Sequence, residues 1–368
     1  MRSAAGRAHK NLNMKCLFPI GATLLILFAV CFVPPLNAQD TQETIDVDSV
    51  SRNFTVHLPT GYSRQQHYPA VILLHPQNQD ADDVARLTHF NLLADKVGAI
   101  VIYPVALRGK WNIGVKSEEQ SAFMPRRGYG RRGGWGGGGY PGGGYPGGGY
   151  PGRGQSGGEN PNASRDRQVP ADDIAFFNQM LDQLPLKYSV DTHRIYAAGL
   201  GEGGFMAERI GCDMADRIAA IAPVGAAYPK TMICLPSRPI SALFISGTED
   251  PLVPYDGGTY KPGHFHVLSA EDTAKTWAKF DHCSEKPKQA KIPAENGGKE
   301  TKTYTYSGCG EGADVVLYGV KNGGNTWPGG EQYTSENEVG KTSNSIAANE
   351  VIWNFFSDRK LPANSGAK

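Results

Sequence analysis

The stretch Arg194-Ile195-Tyr196-Ala197-Ala198-Gly199-Leu200-Gly201-Glu202-Gly203-Gly204-Phe205-Met206 decides the fold. Ile195 to Ala198 reads as a strand, Glu202 onward as a helix, and four glycines crowd the corner between them. The frame Gly199-Leu200-Gly201-Glu202-Gly203 has the spacing of G-x-S-x-G, where a serine sits on a sharp strand-to-helix turn with its hydroxyl exposed. Residue 201 is glycine. It has no side chain and cannot attack anything.

Apolar β-rich runs and helical patterns alternate on both sides of this corner, the signature of a mostly parallel sheet covered by helices. Phe54 to Leu58 alternates like an early antiparallel strand. Tyr68 to His75 and Gly98 to Val105 are continuous apolar runs, as expected for strands buried on both faces. Between them, Val84, Leu87, Phe90, Leu93 and Ala94 space one helix over 82–97. A second helix over 172–188 carries Ile174, Phe177, Met180, Leu181 and Leu184. Strands at 218–224, 240–246 and 315–320 and helices at 269–280 and 346–356 complete an α/β domain.

The first 38 residues read as an export leader. Lys10 and Lys15 precede an uncharged run, and Leu36-Asn37-Ala38 offers small residues for cleavage. The leader holds four of the 37 basic residues and none of the 36 acidic ones, which leaves the remainder at −3. No bulk polycation exists, so general nucleic-acid binding is not expected, nor is a stable membrane span once the leader is removed. Cys212, Cys234, Cys283 and Cys309 remain. An even number in an exported chain implies two disulfides, with sequence order pairing Cys212–Cys234 and Cys283–Cys309. Zinc would want Cys-x-x-Cys spacing, which is missing.

Residues 124–165 break the pattern. They hold 18 of the 46 glycines, in Gly-Gly-Gly-Tyr-Pro repeats, with six arginines against Glu159. Such a segment buries too little apolar surface to offset its ordering entropy, so a disordered insertion is expected. Its charge of +5 leaves the rest of the exported chain near −8. A basic aromatic arm of this kind suits anionic polymer, cell wall or another copy of the protein.

The ordered landmarks carry a resemblance. They run from Tyr68-Pro69-Ala70-Val71-Ile72-Leu73-Leu74-His75 through Trp111-Asn112, Asp172-Asp173-Ile174 and the glycine corner. Beyond it come Ala219-Ala220-Ile221-Ala222-Pro223-Val224, Gly247-Thr248-Glu249-Asp250 and Gly323-Gly324-Asn325-Thr326-Trp327-Pro328-Gly329. From Arg52 to Phe356 the chain resembles secreted poly(3-hydroxybutyrate) depolymerases and feruloyl or acetylxylan esterases of the α/β-hydrolase fold. The resemblance implies Ser, Asp and His in that order, acting as nucleophile, orienting acid and base. Asp250 fills the acid position. Gly201 fills the nucleophile position, and Asn325 stands where the family has histidine. An amide cannot take a catalytic proton near neutral pH. The family's His-Gly reads His75-Pro76, and proline removes one backbone donor of the oxyanion hole, leaving the N–H groups of Glu202 and Gln77.

These departures predict an exported hydrolase-fold protein without hydrolysis, needing no cofactor or metal. It would hold an ester, acyl or polysaccharide ligand in the old cleft, with Trp111 and Trp327 at its rim. A weak or rewired ester hydrolase, and an assembly role led by 124–165, are the other readings. Rewiring could draw on Glu202 as a carboxylate nucleophile, on His264 or His266 as base, or on Thr326 or Ser246 as hydroxyl. Each is more simply structural or solvated.

Overall fold

Alternating sequence builds the margins of one large sheet and uninterrupted apolar sequence builds its middle. The computed structural model describes residues 39–115, 171–293 and 300–363. The leader assigned to 1–38 and the insertion at 124–165 lie outside the described residues. The strands are β1 (Gln39–Val47), β2 (Val50–Leu58), β3 (Tyr68–Leu74), β4 (Ile100–Pro104), β5 (Val190–Leu200), β6 (Ala220–Val224) and β7 (Ser241–Gly247). A short hairpin, β8 (Gly258–Tyr260) and β9 (Phe265–Val267), is followed by β10 (Lys288–Ile292), β11 (Thr301–Tyr306) and β12 (Val315–Val320). Ten strands form the sheet in the order β1-β2-β4-β3-β5-β6-β7-β12-β11-β10. From β4 to β12 every pairing is parallel, and both margins are antiparallel.

Period-two geometry divides the core. Along β3, Ala70, Ile72 and Leu74 enter one apolar cluster and Val71 and Leu73 the other. The first is covered by α3 (Asp173–Lys187), α4 (Glu202–Asp213) and α5 (Ala270–Phe280), through Phe176, Phe177, Phe205, Met206 and Trp277. The second is covered by α1 (Ala81–Thr88), α2 (Phe90–Val97) and α7 (Ala348–Phe356), through Val84, Leu87, Phe90 and Ile352. A single-turn α6 (Glu336–Val339) precedes α7. This is the helix-sheet-helix layering expected from the alternation, and among the described residues no helix is long and apolar enough to cross a membrane.

Three local expectations are corrected. The helix read across 82–97 is two helices: His89 takes a left-handed φ of 52° and ends α1 where α2 begins. The apolar spacing runs through the break because both pieces face the same core. Before the strand at Phe54, β1 pairs with β2 in an unbroken antiparallel register from Gln39↔Leu58 to Val47↔Val50. Beyond 280, the β10 and β11 strands extend the far margin.

Both disulfides pair as sequence order suggested. Cys212–Cys234 ties the end of α4 to the loop after β6, and Cys283–Cys309 ties the segment after α5 to the loop after β11.

Candidate active site

The carboxyl ends of β3, β5, β6, β7 and β12 meet at one side of the sheet, where open α/β sheets place their ligands. β5 runs to Leu200 and α4 starts at Glu202, so Gly201 alone makes the corner. Its φ of 56° and ψ of −117° lie where only glycine is unstrained. The neighbouring glycines have a different reason. A Cβ on Gly199 would fall 2.4 Å from the Gly203 oxygen, and one on Gly203 would fall 2.3 Å from the Leu74 oxygen. They let α4 cross directly over β5 and β3. Among the described residues beyond its chain neighbours, a Cβ on Gly201 would meet Asn325 Oδ1 at 3.0 Å and Pro76 Cβ at 3.6 Å. Space at 201 would thus admit a side chain, and it would point at Asn325.

Asn325 follows β12 and is 1% exposed. Its Nδ2 donates to Asp250 Oδ2 at 2.7 Å and to the Gly225 carbonyl at 2.8 Å. Both amide hydrogens are therefore engaged, which fixes Oδ1 toward residue 201. Its main chain is held as firmly, with its N–H donating to Val339 and its carbonyl accepting from the Tyr333 hydroxyl. Gly225 has a φ of 60°, and a Cβ there would lie 2.8 Å from Asn325 Nδ2. Asp250 is held from behind by the N–H groups of Leu252 and Val253, each 2.8 Å from Oδ1. Burial raises its pKa to about 6 against these hydrogen bonds. Residues 201, 325 and 250 thus form a line of corner, amide and carboxyl. The amide can orient and can accept a hydrogen bond at Oδ1, but it has no basic nitrogen.

On the other side of the corner, the His75 side chain is buried with Nδ1 against the Pro76 carbonyl and Nε2 accepting from the Ala106 N–H. Burial lowers its pKa, so it is a neutral strut. Pro76 brings no N–H. Gln77 is half-buried beside it. Glu202, as the first residue of α4, has an N–H with no intrahelical carbonyl to meet. Its carboxylate turns away from the corner to accept from the Trp111 N–H at 3.2 Å, and burial raises its pKa to about 7.

The two tryptophans expected at a cleft rim are interior. Trp327 is fully buried in the core under α7, with its indole N–H donating to Asn349, and Trp111 is 4% exposed, stacked on Phe177 and donating to the His75 carbonyl. Their apolar area is worth more in the core than at a wet margin. His264 and His266 are exposed on the β8–β9 hairpin, with His266 beside Thr259. Thr326 donates to Lys341. Ser246 is buried, among the described residues its hydroxyl has no hydrogen-bond partner, and it lines a small recess with Gly225, Asp250 and Tyr255. Sequence reasoning missed Tyr260 and Tyr333. The Tyr260 phenol feels Glu202, Tyr333 and Asp250, and burial raises its pKa far out of the working range. A lone tyrosine in a short hairpin gives no signal of such a position. Among the described residues no group of three or more His, Cys, Asp or Glu is placed to hold a metal ion.

A family model described as "Esterase PHB depolymerase" matches residues 52–138. Feruloyl esterase B of Piromyces equi is 36% identical over 163 residues, which are 42% of this chain and 29% of that protein. The chain therefore spans under a third of that relative. Feruloyl esterase D of Neurospora crassa is 21% identical over 325 residues, 85% of this chain and 84% of that protein. The solved acetyl xylan esterase from Aspergillus awamori superposes with a TM-score of 0.50 at 12% identity, covering 86% of this chain and 99% of that one. That likeness concerns the fold.

Proposed function

We propose that this chain is a member of the esterase and poly(3-hydroxybutyrate)-depolymerase-like α/β-hydrolases without serine-hydrolase chemistry. It binds an ester, acyl or saccharide group at the former catalytic corner. The observation that carries this reading is the line from residue 201 through Asn325 to Asp250. The acid and its orientation are kept, while the two groups that would break and make bonds are a hydrogen and an amide. Losing the nucleophile costs about 10⁶-fold in kcat in a triad, with little further loss when the base also goes. A missing oxyanion donor at Pro76 costs about 10²–10³ more in an otherwise intact site.

Export is part of the proposal. Two disulfides fit an oxidising compartment, and the leader-like sequence before Gln39 supplies the route. The rewired-hydrolase reading has one observation in its favour, the unpartnered Ser246 hydroxyl in the recess it shares with Asp250. Both loop histidines stay exposed on the hairpin, and among the described residues no histidine is hydrogen-bonded to that hydroxyl.

Hydrolysis of p-nitrophenyl acetate and butyrate by the purified full chain is the test. The expected rate equals the buffer rate at high protein concentration. Turnover that disappears in Asp250→Ala overturns the proposal.

A further inference from the structure

Residue 201 leaves a space with an unusual wall. Among the described residues other than its chain neighbours, a Cβ placed there has two neighbours within 4 Å, the Asn325 amide oxygen and a proline carbon. Both Nδ2 hydrogens of Asn325 are committed to Gly225 and Asp250, so the group facing the space is a pure acceptor. Among the described residues no donor is bonded to that oxygen. The side chain is 1% exposed with Oδ1 turned to residue 201, so a group that reaches this oxygen gains a hydrogen bond only if it brings a proton. On the helix side the Glu202 N–H offers a donor, which a hydroxyl oxygen can accept. A carboxylate brings no proton to Asn325 Oδ1. An ester or ether oxygen brings none either.

We propose that the corner at Gly201 is a subsite for one neutral alcohol hydroxyl of the ligand, which donates to Asn325 Oδ1 in the position a serine hydroxyl would occupy. This deepens the reading of a non-hydrolytic binder and rests on it. The hydroxyl can come from a hydroxy-ester or from a saccharide; the chemistry at Asn325 is the same.

Calorimetric titration of the full chain with matched ligands tests it. Methyl 3-hydroxybutyrate is compared with methyl 3-methoxybutyrate and methyl butyrate, which differ only at the hydroxyl. Xylobiose is compared with its permethylated form. The expected result is a preference of about tenfold for the hydroxyl member of at least one set, and the preferred set identifies the source. In Gly201→Ala, whose methyl fills the space, the preference disappears. The analogue comparison in the unmodified protein stands without that variant if the variant fails to fold. Equal affinities within both sets, or no binding in either, overturn the inference. Methanol release from the esters overturns the non-hydrolytic reading beneath it and this inference with it. Equal affinities without methanol overturn this inference alone.

Discussion

Restoring the two missing groups should restore chemistry in a defined order. In Gly201→Ser the new Cβ sits 3.0 Å from Asn325 Oδ1, a contact that yields with a shift of a few tenths of an ångström. A serine at φ 56° carries about 1–3 kcal/mol of backbone strain, so a lower Tm is expected. Its hydroxyl donates to an amide oxygen and finds no base, so the single variant stays at the buffer rate. Adding Asn325→His puts an imidazole beside Asp250 Oδ2, which the amide nitrogen now meets at 2.7 Å. The missing Cβ of Gly225 gives the larger ring room. A complete triad is worth about 10⁶-fold, and the absent Pro76 N–H takes back about 10²–10³, so the double variant should exceed the unmodified protein by about 10³–10⁴-fold. Initial rates on p-nitrophenyl butyrate and labelling by a fluorophosphonate read this directly. The reasoning is refuted if the single variant matches the double. It is refuted equally if a folded double variant stays flat and Pro76→Gly on top of it does not help.

Other outcomes follow from the same geometry. Gly203→Ala puts a Cβ 2.3 Å from the Leu74 oxygen and should prevent soluble expression, while Gly201→Ala should cost only about 1–3 kcal/mol in denaturant titrations. Burial raises Glu208 to about pKa 8, against the Trp277 indole bond, and raises Asp281 to about 7. The folded chain holds both protons at a pH where the unfolded chain has lost them. Their contribution is full below the ordinary carboxyl range and is lost as pH rises through 7 and 8. Tm should therefore fall between pH 5 and 8.5, and Glu208→Gln should shallow that fall; a parallel profile would contradict it. Replacing Cys212 and Cys234 together by serine opens a crosslink of sequence separation 22 and should lower unfolding free energy by about 3 kcal/mol, measured by denaturant titration.

The central sheet was legible because strands buried on both faces leave continuous apolar runs, as at Tyr68 and Gly98. The glycine corner was legible because crossing a helix over a strand at contact distance leaves no room for Cβ atoms at 199 and 203. The β1 strand was not, because its sequence is polar and five of its nine residues are exposed. The break at His89 was hidden because both helices present apolar residues to one core. Within the site, Asn325 was found through its position in Gly323-Gly324-Asn325-Thr326-Trp327, but its fixed orientation depends on Gly225 and Asp250, about 100 and 75 residues away. The tryptophans misled because an aromatic in a motif gives no sign of whether it faces ligand or core.

Intact-protein mass spectrometry after incubation with an excess of fluorophosphonate tests the loss of chemistry most directly. The account predicts an unchanged mass with Ser246 untouched on peptide mapping. A stoichiometric single adduct on Ser246 or any other hydroxyl, abolished by Asp250→Ala, would contradict it.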